Sequence, residues 1–371
     1  MQQHLPDSRD DLPESTQDDV LVSQETAERP HKATPEQMDA VHKQAEKLIE
    51  TLRHVPEGDL VGNILATSLK LLRDNTNRGD VKLIDKAVAE LRYALKIFAP
   101  YRETKKVAVF GSARTHVDKH DYIAAVEFGK KMAEAGWMVT TGAGGGIMAA
   151  AHGGAGREPS FGLAIRLPFE QKTNEYIHND KKLVHFKYFF TRKLMFVRSS
   201  HAIALFPGGF GTMDEGFEVL TLIQTGKAVP MPIVLVDKKG GAFWTEWQKY
   251  VENQLLARGM ISEQDFNLYK VTDDVNEAIA EVQNFYRNYH SIRYVKNQLV
   301  IRLQRAPNEQ QLQYLRDHFS DIKVSGDFAV HNALKAEADE VEIADLPRLS
   351  FDFNRRDHGK FRALIDYLNT F

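Results

Sequence analysis

The sequence of 371 residues predicts a doubly wound α/β fold, a parallel sheet with helices on both faces. A helical extension precedes it and a small α+β domain follows. Three observations carry this. Apolar runs in the middle of the chain are continuous rather than alternating, as in strands buried on both faces. They alternate with amphipathic segments at strand–helix spacing. Glycine-bearing turns follow three of the runs, at the place where this architecture binds its ligands.

Residues 1–35 carry Pro, Ser, Gln and acids with few large apolar side chains, so the expectation is a disordered acidic tail. Residues 36–104 read as a helical extension. "TPEQMDAVHKQAEKLIETL" opens on a Thr-Pro start signal, and "DLVGNILATSLKLLRDN" and "VKLIDKAVAELRYALKIF" are amphipathic. From 105 to 290 the strand–helix alternation sets in. "VAVFG" (107–111), "WMVTTG" (137–142), "SFGLAIRL" (160–167), "HAIALFPGG" (201–209) and "MPIVLVD" (231–237) read as strands. "DYIAAVEFGKKMAEAG" (121–136), "TMDEGFEVLTLIQTGK" (212–227) and "FWTEWQKYVENQLLARG" (243–259) read as helices. In 291–371, "NQLVIRLQ" and "RLSFDFN" alternate as half-exposed antiparallel strands do, and "NEQQLQYLRDHF" and "GKFRALIDYLNTF" read as helices.

Charge and composition exclude several functions. The net charge is −3, and residues 1–35 alone hold eight acids against three bases, a net of −5 that leaves +2 for the rest. A near-neutral body offers no basic face for nucleic acid. Cysteine is absent, which excludes disulfides, thiolate nucleophiles and Cys-ligated zinc. The first residues are acidic and lack the pattern of a signal peptide, and no apolar run reaches the length of a membrane span. The expectation is a cytoplasmic protein without membrane contact.

The three turns are "FGSAR" (110–114), "TGAGGGIMAAA" (141–151) and "PGGFGT" (207–212). In a doubly wound sheet they open on one edge, where backbone N–H groups and helix N-termini favour an anion. The dinucleotide fingerprint G-x-G-x-x-G fails, because Ile147 and Asp214 stand where glycine is needed. Gly226–Lys227 is followed by Ala228 and makes no P-loop. "TMDE" has the spacing of a capping box, in which Thr212 caps a helix and Glu215 reaches back to the Thr212 N–H. Upstream, "FFTRKLMFVRSS" carries Arg192, Lys193 and Arg198. Lys193 and Arg198 read as a solvated basic face, whereas Arg192, among Phe189, Phe190, Met195 and Phe196, reads as pointing into a site.

"PGGFGTMDE", preceded by "RKLMF" and with "GSAR" and "GAGGGIM" upstream, resembles the LOG ("lonely guy") family of nucleotide phosphoribohydrolases. Of its two hallmarks, P-G-G-x-G-T-x-x-E is complete, and R-K-x-x-M is met in part, with Arg192 and Lys193 in place, Met195 one position early and Phe196 where the methionine belongs; the likeness to the longer bacterial members covers roughly residues 60–260. The resemblance implies a Rossmann-like domain that hydrolyses the N-glycosidic bond of nucleoside 5′-monophosphates to free base and ribose 5-phosphate. Adenine is the first choice of base. Arg192 and Glu215 are then the catalytic pair. Gly208, Gly209, Gly211 and Thr212 hold the 5′-phosphate. Ser112, Gly144, Gly145, Gly146 and Lys193 line the nucleotide site. The scheme calls for no metal and no cofactor. The loop from Pro168 to Lys187 is expected to shape the base pocket. Family members are usually dimers, which makes "FEVLTLIQ" and "FFTRKLMF" candidate faces for a homodimer or higher homo-oligomer. A nucleotide or molybdenum-cofactor carrier on the same fold is the rival reading, and the Arg192–Glu215 pair, which a pure binder does not need, weighs against it. A decarboxylase, a label sometimes attached to the family, needs a Schiff-base lysine, and no lysine sits in a context that argues for one.

Overall fold

The computed structural model describes residues 34–166 and 172–371. The expected acidic tail, up to position 33, and positions 167–171, which take in the first four residues of the expected base loop, lie outside the described residues. The chain divides into two compact units, one up to Arg92 and one from Tyr93.

The first unit is helical. α1 (Pro35–Leu52) starts at a capping box in which Thr34 and Gln37 exchange side-chain bonds, with Pro35 in the first turn. α2 (Gly58–Arg73) lies against it, with Gly62 facing Ile49. α3 (Arg78–Phe98) runs across the division between the units.

The second unit holds two sheets. β1 (Lys106–Phe110), α4 (His120–Glu134), β2 (Met138–Thr141), α5 (Ile147–Ala155), β3 (Ser160–Ile165) and β4 (Leu183–Phe186) come first. α6 (Phe189–Ser199), β5 (Ala202–Leu205), α7 (Phe210–Gln224), β6 (Ile233–Val236) and α8 (Phe243–Tyr250) follow, then β7 (Lys270–Thr272) and α9 (Val275–Phe285). The seven strands are parallel, in the order β4-β3-β2-β1-β5-β6-β7. The fold is therefore the Rossmann-like α/β architecture that the continuous apolar runs predict. Val107, Val109, Val139, Ala204 and Val236 bury one face of the sheet under α4, α5 and α9. On the other face Phe196 of α6 meets Phe110 of β1 at 4.7 Å between rings, and Gly216 of α7 lets that helix press on Leu205 of β5.

A second sheet of four antiparallel strands, ordered β10-β11-β9-β8, closes the chain. It comprises β8 (Tyr289–Val295), β9 (Gln298–Leu303), β10 (Lys323–His331) and β11 (Arg348–Phe353), with α10 (Glu309–Phe319) and α11 (His358–Leu368). One face packs Leu299, Ile301, Leu349 and Phe351 against the two helices. On β9 and β11, Arg302 and Arg348 are paired in register, and both are buried against the Glu337 carboxylate at 2.8 and 3.2 Å.

Four strands escape the sequence pattern. β4 and β7 are short strands at the two edges of the parallel sheet, and neither is continuously buried. β8 and β10 are the edges of the second sheet, polar and irregular in register. The helix expected over 243–259 is α8 only to Tyr250, after which the backbone widens into a π turn over Val251–Leu256. Among the described residues no helix is long and apolar enough to cross a membrane.

Candidate functional site

β1 and β5 lie side by side at the centre of the parallel sheet, and the strand order reverses there. The crevice at the carboxyl ends of such a pair is where open α/β sheets bind ligands. The turns after β1, β2 and β5 meet at this point. The Ser112 N–H donates to Pro207 O at 3.1 Å, and the Ile147 N–H donates to Ser112 O at 3.0 Å. Ser112 thus laces the three turns together, while its Oγ accepts from the Arg114 N–H at 3.1 Å.

The glycines are needed for close approach. Gly146 sits at φ +57°, and a Cβ there would run into Ser112 O. A Cβ at Gly208 would collide with Thr212 Oγ1. Gly209 and Gly211 face open space, with nothing within 4 Å of a Cβ at either. Gly209 is the N-cap of α7 and offers no side-chain cap. The start of this helix therefore lies beside unfilled space, which suits an anion.

The capping-box reading of "TMDE" is corrected by this geometry. α7 begins at Phe210, not at Thr212, so Thr212 is already the third residue of the helix. Its N–H donates to Gly209 O at 3.0 Å. Glu215 then lies a turn further in, on the buried side with Thr212, Gly216, Val219 and Ile223. It is 6 % exposed, and its Oε2 has no hydrogen-bond partner.

Lys193 is not on a solvated face. Its side chain is 14 % exposed, and its Nζ reaches Asp214 Oδ2 at 2.9 Å, Glu218 Oε2 at 2.6 Å and Glu215 Oε2 at 3.7 Å. Hydrogen bonds to Glu218 and Asp214 hold the ammonium above the ordinary lysine range, although burial opposes them. Arg198 is exposed, as its place on the basic face implies. Arg192 turns inward. Its Nε donates to Leu163 O of β3 at 2.8 Å, its Nη2 lies where Gly142 leaves room, and its guanidinium stands over the Phe196 ring at 5.2 Å. Arg192 and Glu215 feel each other's charge, yet no ion pair joins them among the described residues. Burial dominates at Glu215 and pushes its carboxyl up to about 7, against the pull of Lys193 and Arg192 and with the repulsion of Glu218 and Asp214.

Two residues that hold the site give no signal in the sequence. Asn174 donates its N–H to Ala143 O at 2.8 Å and its Nδ2 to Gly144 O at 3.0 Å. It fixes the second turn, where Ala143 takes φ +61°. Behind it His152, fully buried, places Nε2 3.0 Å from Phe161 O and Nδ1 3.2 Å from Asn174 Nδ2. Burial pulls His152 down to about 4, so the neutral ring donates through Nε2 and accepts through Nδ1. A polar loop and a helical histidine are too common to stand out in a sequence.

Residues 145–282 match the family described as "possible lysine decarboxylase". No curated protein matches the chain. Among solved structures, the chain is similar to the molybdenum cofactor carrier protein of Chlamydomonas reinhardtii. Identity is 21 %, over 49 % of this chain and 97 % of that one, with a TM-score of 0.35. The molybdenum cofactor binding protein of Rippkaea orientalis gives 16 % identity over 49 % and 96 %, TM-score 0.34. The protein TM1055 gives 22 % over 48 % and 99 %, TM-score 0.34. The match, to a LOG-family domain, is confined to 145–282 and takes in both Arg192 and Glu215.

Proposed function

We propose that the protein is a nucleoside 5′-monophosphate phosphoribohydrolase, which cleaves the N-glycosidic bond of AMP or a related nucleotide to free base and ribose 5-phosphate. The observation that carries this reading is the buried Glu215 carboxyl, its Oε2 without a hydrogen bond, one turn inside the helix whose open start suits a phosphate. The 5′-phosphate binds at Gly208–Thr212 and serves as the handle that fixes the ribose, so that binding energy remote from the reacting bond acts on it. Gly144 to Gly146 and Ser112 line the nucleotide site from the neighbouring turns. Bond cleavage passes through an oxocarbenium-like ribosyl cation, which a carboxylate stabilises. Arg192 offsets the repulsion between phosphate and carboxylate and faces the departing base.

A pyridoxal-dependent decarboxylase is disfavoured. A Schiff-base lysine must shed its proton, and the Lys193 ammonium is held by Asp214 and Glu218. The protein acts in the cytoplasm as a homodimer or larger homo-oligomer. Phe189, Phe190, Leu194 and Phe217 on α6 and α7 are each 40–50 % exposed, which supports a second copy covering this face.

The test is a product assay. Protein is incubated with AMP, GMP, CMP, UMP or IMP, and free base is followed by chromatography, with Glu215→Gln in parallel. Base release that vanishes in the variant while nucleotide binding persists supports the enzyme and ranks its substrates. Binding without release by the wild type moves the reading to a nucleotide or molybdenum-cofactor carrier. Light scattering of the same preparation reads the oligomeric state, and a monomer at micromolar concentration rejects the dimer.

A further inference from the structure

The site contains one cation within reach of three carboxylates. All three carboxylates sit on the first three turns of α7, and the cation, Lys193, sits on α6. Lys193 bonds Asp214 and Glu218, the residues on either side of Glu215 along the helix. Glu215 is left at 3.7 Å, too far for a hydrogen bond, with Oε2 buried and unpartnered. The charged groups that act on Glu215 are Lys193 and Arg192 from α6, and Asp214 and Glu218 from α7. The Nε of Arg192 is held by Leu163 O. Lys193 and Arg192 offset the charge of a Glu215 carboxylate only in part, and burial outweighs them, whereas a protonated carboxyl is tolerated.

We propose that Asp214 and Glu218 are positioning residues that hold the Lys193 ammonium off Glu215, so that Glu215 enters the reaction as a neutral acid and gives its proton to the departing base. This rests on the hydrolase reading and assigns the order of charge within it. As the bond between the ribose C1′ and the base nitrogen breaks, its electron pair leaves with the base, which takes the Glu215 proton. The carboxylate so formed faces the ribosyl cation. Water then adds its oxygen to C1′ and returns a proton to Glu215. Base and ribose 5-phosphate leave, and the enzyme regains its starting state. The positive charge on Glu215's neighbours helps only once the proton has gone, which is when the transition state needs a carboxylate. A lysine paired directly to Glu215 would fix the anion beforehand and remove the acid.

The experiment is a pH titration of the Glu215 carboxyl carbon by NMR in full-length protein labelled with [5-13C]glutamate. The Glu215→Gln variant assigns the resonance by its loss. Wild type is compared with Asp214→Asn/Glu218→Gln, with Lys193→Met, and with the triple variant, each checked for native circular dichroism. In the wild type Glu215 titrates near neutrality. In the double variant the midpoint falls by about one unit or more, as the freed ammonium turns to Glu215. In the triple variant that fall shrinks, because no ammonium remains to turn. Glu218→Asp, which keeps the charge, restores the wild-type midpoint. Where wild type releases base, the alkaline limb of kcat moves with the midpoint while KM for AMP stays. A Glu215 already ionised at pH 5 overturns the proposal. An equal fall with and without Lys193 also overturns it, since the two acids would then act by repulsion alone. An absence of base release with the titration as stated removes the hydrolase reading and the proton transfer, and leaves the charge arrangement standing.

Discussion

Replacing Glu215 by Gln tests the charge state of the site without any substrate. The folded protein raises this carboxyl from 4.5 to about 7. A carboxyl raised on folding has its stability fully present below pH 4.5, and loses it as pH climbs through 7. The shift corresponds to roughly 3 kcal/mol, at about 1.4 kcal/mol per pH unit. Gln keeps the shape and cannot ionise. At pH 5 the two proteins should therefore unfold within a degree or two of each other, apart from any pH-independent offset. At pH 8 the variant should gain the missing amount, which for a unit of this size is about 5–10 °C in Tm. Thermal unfolding by circular dichroism at both pH values, on wild type and variant, isolates the effect as a difference of differences. Parallel Tm curves across pH 5–8 would refute the reasoning, because they would mean that Glu215 is ionised and satisfied throughout.

Gly209→Ala should fold with an unchanged Tm, since its φ of −88° suits alanine and its Cβ meets nothing, yet weaken AMP binding by about tenfold or more in calorimetry if the proposed phosphate site is where that methyl stands. Gly208→Ala, which drives a methyl into Thr212 Oγ1, should lose both Tm and binding. Arg192→Lys should lower kcat/KM for base release by about 10²-fold, close to Arg192→Ala, because the guanidinium uses Nε on Leu163 O while its Nη2 enters the space at Gly142. His152→Gln should flatten the acid side of the stability curve. The buried ring is lowered from 6.5 to about 4, so the wild type loses roughly 3 kcal/mol as pH falls through that window and the variant does not. In the second sheet, Glu337→Ala leaves the buried Arg348 guanidinium without its anion, while Arg302 keeps Glu340, and denaturant unfolding should report a loss of about 3–5 kcal/mol.

Strands buried on both faces announced themselves. "VAVF" and "PIVLV" are read correctly because nothing but continuous apolar side chains survives between two helical layers. The strands without this signature are the edges. "LVHF" of β4 is only half-buried and has one neighbour, so its sequence is free to carry His185. "KVSGDFAVH" of β10 tolerates Gly326 and Asp327 because the register with β11 slips beside them. Edge strands owe their pairing to a neighbour distant in sequence, and no local pattern records that debt.

The site divides in the same way. The glycine turns were legible, because close approach of backbone to backbone leaves a residue-type signature, as at Gly146 over Ser112 O. The ambiguity lay in Thr212 and Glu215, whose spacing fits a capping box and a buried site equally well. The deciding information is the start of the helix, and the glycines set it. Gly208 and Gly209 let the chain turn from β5 straight into α7, which begins two residues early. That advance moves Glu215 off the cap and onto the stripe of Thr212, Gly216, Val219 and Ile223, the face pressed against the sheet. A glutamate on a core stripe costs folding energy unless something holds it. Here its Oε2 has no hydrogen bond, and the ammonium 3.7 Å away is held by Asp214 and Glu218. A side chain that opposes folding in this way is intelligible as one whose partner arrives with the ligand.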